Sequence, residues 1–110
     1  TVMPDGSPQL TQPWVDTAGK NVVINIVDGM QKARNLGRDA RVAVAVSDPA
    51  QPIMLTQVRG RVVAMTSDGG EESIDALAHK YTGKPYAWYG GRKQTRLIVT
   101  SEADHITSVP

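Results

Sequence analysis

Apolar positions along the chain follow two periods. Val22-Val23-Ile24-Asn25-Ile26-Val27 is β-branched almost throughout, and Arg41 to Ser47 alternates valine with alanine at Val42, Val44 and Val46. Both patterns predict strands, the second buried on one face and closely covered on the other. A long β segment is expected over Ile53–Thr66, where Gly60 marks a bulge or sharp coil of the kind barrel closure needs. Gln9–Val15 reads as a further strand, turned at Asp16–Lys20 into a hairpin with Val22–Val27. Thr95–Ser101 and His105–Val109 read as two closing strands, and Asp48–Pro52 as the turn before the long segment.

The period changes to a helical one twice. After Asp28, residues Gly29–Leu36 lack β-branching, and Asp28 stands three before Gln31, a capping-box spacing that predicts a helix of two or three turns. Over Glu71–Tyr81, Ile74, Leu77, Ala78 and Tyr81 fall at i, i+3, i+4 and i+7, which predicts an amphipathic helix packed on the sheet. Thr82–Gly91 has no period, three aromatics and three glycines, and reads as a mobile loop. The expected order is β-β-α-β-β-α-β-β. Short connections favour antiparallel pairing, so the fold class is mainly β with two short helices.

At 110 residues the chain has room for one domain, spanning 1–110. Thr1–Met3 reads as the tail of a strand entering the turn Pro4-Asp5-Gly6-Ser7-Pro8, and a turn so close to the start predicts a missing N-terminal helix and most of a first strand upstream. A net charge of +1 gives no reason to expect nucleic acid or an anionic membrane as partner. With no cysteine, disulfides, thiolate zinc sites and cysteine nucleophiles are excluded, and a reducing cytoplasm fits. No apolar run approaches the ~18 residues of a membrane span, so a soluble, cytoplasmic protein is expected.

Candidate chemistry concentrates in Met30–Arg41. Lys32 and Asn35 stand three apart on one helix face, and a helix start after a strand offers free N–H groups and a positive dipole end, a common arrangement for phosphate. Spacing alone supports a solvated basic helix equally well. His79 and His105 have no acid at metal-ligand spacing, so no metal is expected. Glu71-Glu72 complements a helix dipole. Ser7, Ser47 and Ser101 lack a nucleophile-elbow context. Trp14, Tyr86, Trp88 and Tyr89 read first as packing or dimer contacts and second as ring-stacking or pocket residues.

Pro4-Asp5-Gly6-Ser7-Pro8-Gln9-Leu10-Thr11, Val22–Asn25, Lys32-Ala33-Arg34-Asn35-Leu36 with Asp39 and Arg41-Val42-Ala43, and Val58-Arg59-Gly60-Arg61-Val62 together resemble the F420-dependent reductases of the pyridoxamine-phosphate-oxidase-like superfamily. The resemblance runs in order over nearly the whole chain. It implies an FMN-binding-protein-like split β-barrel, a homodimer holding the deazaflavin coenzyme F420 at its interface, and hydride transfer to a small electron-poor substrate. It also implies cofactor-binding roles: Lys32 at the phosphate, Asn35 supporting it, Asn25 and Ile26 along the cofactor, and Gln9 beside the ring system. No protein nucleophile is required, and no catalytic side chain is assigned. The family often carries a second cation where this chain has Met30, which leaves F420 favoured and keeps FMN, or no cofactor at all, in play; a non-catalytic F420 or FMN carrier and a pyridoxamine-phosphate-oxidase-like FMN enzyme are the alternatives to the reductase.

Overall fold

The computed structural model describes residues 1–109, in the order β1 (Val15–Ala18), β2 (Asn21–Val27), α1 (Gln31–Arg38), β3 (Arg41–Asp48), β4 (Gln51–Thr66), α2 (Gly70–Thr82) and β5 (Arg96–Val109). All five strands pair antiparallel in one sheet, in the spatial order β1-β2-β5-β4-β3. β1 and β3 are its two edges, so the sheet curls without closing: a split β-barrel.

The curl comes from two bulges between β4 and β5. The register shifts between Arg59 and Gly60, where Asp104 is left out of the pairing, and again between Val62 and Ala64, where Val63 is. An extra residue in one strand bends it and raises its twist. Gly60 sits so close to the backbone of Glu102 and Ala103 that a Cβ would have no room, the physical content of the glycine read from the sequence. Arg61 forms ion pairs with both Asp104 and Glu102 on the exposed side of this bend.

Ile24 and Ile26 of β2 and Leu97 and Val99 of β5 are buried together with Ala33 and Leu36 of α1. Residues two apart on a strand share a face, and the Ala33/Leu36 pair shares a helix face, so one short helix closes one side of the sheet. Ile74, Leu77 and Ala78 of α2 are likewise buried, each large side chain contributing roughly 1.5–3 kcal/mol by leaving water. These are three of the four positions the periodicity predicted; the fourth, Tyr81, is 46% exposed. The helix ends where Gly83 (φ 73°) takes the left-handed region and donates its N–H to the His79 carbonyl, a C-terminal cap.

Five expectations are corrected. Gln9–Trp14 is not a strand, and the first hairpin strand is Val15–Ala18, which takes in Asp16–Ala18 of the expected turn; the turn itself keeps only Gly19-Lys20, with Gly19 at φ 62°. Positive φ at the first central residue is what a tight II′ hairpin needs. Residues 9–11 bond to α1 instead of to a strand, and Pro13 brings no N–H to a ladder. Second, Asp28 does not cap α1. The helix begins at Gln31 with Met30 at the N-cap and no side-chain cap, because Gly29 (φ 83°) turns the chain first and the Asp28 N–H is used on the Thr95 carbonyl. Third, the two closing strands are one, Arg96–Val109, since the acidic stretch at its middle is a bulge and not a break. Fourth, the loop after α2 is pinned: the Tyr86 N–H donates to Asp75 Oδ1 at 2.9 Å, and Tyr86 packs edge-on against Trp14, Trp88 and Tyr89. The 48–52 turn shortens to two residues, Pro49-Ala50, and Pro52 lies within β4 near its start.

Asp39, in the tight link between α1 and β3, accepts from the Arg41 backbone N–H at 3.1 Å and pairs with its guanidinium at 2.6 Å. Hydrogen bonds from the Arg41 side chain, and then from its backbone, pull the Asp39 carboxyl down from 3.8 to about 2. Between those values the unfolded chain binds the extra proton, so this contribution is complete above 3.8 and is lost as pH falls toward 2. Urea unfolding at low salt should therefore show the wild-type protein losing more stability over that interval than Asp39→Asn. Equal losses would mean the exposed pair is screened to nothing.

Candidate functional site

A groove of about 470 Å³ opens between the 9–14 segment, β2, the start of α1 and the aromatic loop. Its volume lies within the ~300–1,000 Å³ usual for small-molecule sites. Gln9, Asn25, Ile26 and Lys32 line it, so four of the five residues singled out from the sequence meet in one place. None of its lining residues is acidic.

Lys32 is placed by the first turn of α1 and is partly buried; its Nζ donates to Thr11 Oγ1 at 2.8 Å. Among the described residues it has no carboxylate partner. Burial, and then the positive charge of Arg96, lower its pKa. An anion in the groove would reverse both effects, since each penalises an uncompensated cation.

Asn35 lies behind the groove, fully buried, and does not line it. Its Nδ2 donates to Gln9 Oε1 (3.1 Å), with Thr1 Oγ1 (3.1 Å) and Met3 Sδ (3.3 Å) also in reach; its Oδ1 accepts from Gln31 Nε2 at 2.8 Å. The amide thus holds the N-terminal strap on α1 and fixes Gln9. With Gln9 Oε1 occupied by Asn35 and the Thr1 hydroxyl, the Gln9 amide N–H groups are the part left to offer to the groove. Lys32 and Asn35 do share a face, and both reach the 9–11 strap, one at the groove mouth and one beneath it.

Asn25 is also buried. Its Nδ2 donates to the Gly70 carbonyl at 2.9 Å and its Oδ1 accepts from Arg96 Nε at 2.7 Å. Arg96 was not singled out from the sequence, where it appears as one arginine opening a strand; only the β2–β5 pairing, which sets Asn25 opposite Ile98, brings its side chain beside Asn25. Burial draws its pKa below the ordinary value. The Tyr86 ring covers its guanidinium at 5.3 Å, a cation–π contact.

Aromatic side chains form the outer wall. Trp14 stacks on Tyr81 (5.6 Å between centroids), and the Tyr81 hydroxyl and Lys80 Nζ both bond to the Val15 backbone, tying α2 to β1. Trp14, Tyr86 and Tyr89 line the groove, so the pocket reading of these residues holds together with the packing one; Trp88 only packs on Tyr86 and under Arg92. Donors on one side and flat apolar rings on the other suit a ligand that is both planar and anionic.

No family model and no curated protein matches the chain. Solved structures are similar to it, among them these two. One is an F420 reductase, with a TM-score of 0.85 and 28% identity over 97% of this chain and 84% of that one. The other is the conserved hypothetical protein Rv2991 from Mycobacterium tuberculosis, with a TM-score of 0.74 and 24% identity over 99% of this chain and 72% of that one, a likeness of fold. Among the described residues no helix is long and apolar enough to cross a membrane.

Proposed function

We propose, from the premise that the chain belongs to the split-barrel superfamily of F420-dependent reductases, that it is a deazaflavin-dependent oxidoreductase. It transfers a hydride between coenzyme F420 and a small electron-poor acceptor, with the cofactor held at a homodimer interface. The observation that carries this reading is the groove itself: donors from Gln9 and Lys32, no acidic lining residue, and a wall of Trp14, Tyr86 and Tyr89.

The residues present fit such a cofactor. Lys32, braced by Thr11, supplies the positive charge an anionic tail requires. Gln9, oriented by Asn35, offers amide N–H groups to a heteroatom at the ring edge. Ile26 and the backbone of β2 give a rigid flat floor, because β2 is paired on both sides. Trp14 and Tyr86 exclude water from the face opposite. When bound, the reduced deazaflavin supplies the hydride, and the protein supplies orientation and a dry site.

Titration of the protein with F420 and, separately, with FMN, read by fluorescence quenching, tests the reading; sedimentation of the same samples reports the dimer. Lys32→Ala should weaken F420 by roughly tenfold to a hundredfold, the size of a lost charge-assisted hydrogen bond. Preference for FMN would move the protein to an oxidase-type chemistry. F420 binding without turnover of any acceptor would make it a carrier, and binding of neither cofactor would end the redox reading.

A further inference from the structure

Arg96 is only 9% exposed, yet no ion pair among the described residues includes it. One of its five N–H groups is accounted for: Nε donates to Asn25 Oδ1. No side chain or backbone carbonyl among the described residues accepts from Nη1 or Nη2, and the residue lines the groove. On the packed helix Asp75 is already engaged, accepting from the Tyr86 N–H through Oδ1 and facing His79 through Oδ2 at 3.5 Å. A second cation, Lys32, also lines the groove, and among the described residues its only side-chain partner is a neutral hydroxyl.

Burying a guanidinium without an anion is costly, and the cost persists in a native protein where a ligand removes it. Arg96 is moreover held in one orientation. Asn25 fixes its Nε edge, Asn25 is itself tied to the start of α2 through the Gly70 carbonyl, and Tyr86 covers the plane of the guanidinium. What remains free is the end-on fork of Nη1 and Nη2, whose spacing matches two oxygens of one carboxylate or phosphate.

We propose that Arg96 is the oxyanion receptor of the groove: its Nη1/Nη2 fork binds a carboxylate or phosphate bidentately, with Asn25 as the positioning residue that presents the fork. The oxyanion comes from one of two sources, the anionic tail of the cofactor or an acidic group on the acceptor. Only the cofactor source rests on the function proposed above; the receptor itself rests on the groove. The Tyr86 contact gives binding a second consequence. An anion on the fork and the ring over its face hold the same group, so loading the receptor steadies the aromatic wall.

The test uses inorganic phosphate, followed by calorimetry, on wild-type protein, Arg96→Gln and Arg96→Lys. Phosphate should bind the wild type and weaken roughly tenfold to a hundredfold in Arg96→Gln. Arg96→Lys should lie between, because it keeps the charge and lacks the fork; as it retains the buried cation it also serves if Arg96→Gln fails to fold. The source is then separated with F420, with the same deazaflavin lacking its phosphate tail, and with cinnamate as a flat carboxylate. Loss of F420 affinity with the tail-less compound unaffected assigns the fork to the cofactor. Unchanged F420 with weakened cinnamate assigns it to the acceptor. Arg96-dependent phosphate binding in a protein that ignores F420 would keep the receptor and remove the cofactor reading. No phosphate binding by the wild type, or equal binding in wild type and Arg96→Lys, overturns the proposal.

Discussion

Asn35→Ala is expected to destabilise the protein by roughly 2–4 kcal/mol, the combined effect of lost buried hydrogen bonds and a small cavity. The Asn35 amide has no exposed surface and joins α1 to three residues of the N-terminal strap, Thr1, Met3 and Gln9. Truncation leaves Gln9 Oε1 with the Thr1 hydroxyl alone and takes the acceptor from Gln31 Nε2, and refilling with leucine would not restore either bond. Urea unfolding should show a lower midpoint at unchanged slope, and limited proteolysis should cut within residues 1–14 before the sheet opens. Cofactor affinity should fall with it, although Asn35 does not touch the groove, since Gln9 loses its orientation. A change below about 0.5 kcal/mol, the range of surface substitutions, would mean that the strap is held by its backbone bonds alone.

The second large effect is expected at Gly70, the first residue of α2. A Cβ built there would overlap the Arg96 carbonyl, which is backbone and cannot swing aside. Gly70→Ala must therefore push the start of α2 away from β5, at about 1–3 kcal/mol for overpacking. The displacement has a functional side. The Gly70 carbonyl is the acceptor for Asn25 Nδ2, and Asn25 presents Arg96 to the groove. Phosphate binding should weaken in Gly70→Ala along with thermal stability, while Gly83→Ala, at a left-handed cap with nothing within 4 Å of its Cβ position, should lower stability and leave anion binding intact. If both variants bind phosphate as the wild type does, the α2 start and the Arg96 fork are not coupled.

These two residues also show how far the sequence could be read. Asn35 was singled out from its run, Lys32-Ala33-Arg34-Asn35-Leu36, where the resemblance implied a residue supporting the one at the phosphate; the structure has it behind Gln9, bonded to the N-terminal strap. Gly70 was not singled out from the sequence. A glycine inside a strand pattern, such as Gly60, announces a bulge because strands otherwise exclude it. A glycine at a helix start announces nothing, and its reason lies in a carbonyl 26 positions away in the chain, that of Arg96.

What the sequence determined by itself is whatever depends on neighbours along the chain. The β-branched run of β2, the valine-alanine alternation of β3, the bulge glycine of β4 and the heptad-like spacing of α2 each carry their own period, and each element formed near its expected place. Where local signals competed, tertiary contacts decided. Asp28 and Gln31 had the spacing of a cap, but the Asp28 N–H was taken by Thr95 of the facing chain segment. Gln9–Pro13 had the composition of a strand, but α1 claimed its side chains. The two halves of β5 looked like separate strands until their common partner, β4, carried the pairing through the bulge. The anion fork of Arg96 is the limiting case. A guanidinium becomes a receptor only when burial strips its water, Asn25 takes one edge and no acid takes the other, and those conditions join residues 25, 70, 86 and 96, which no local pattern connects.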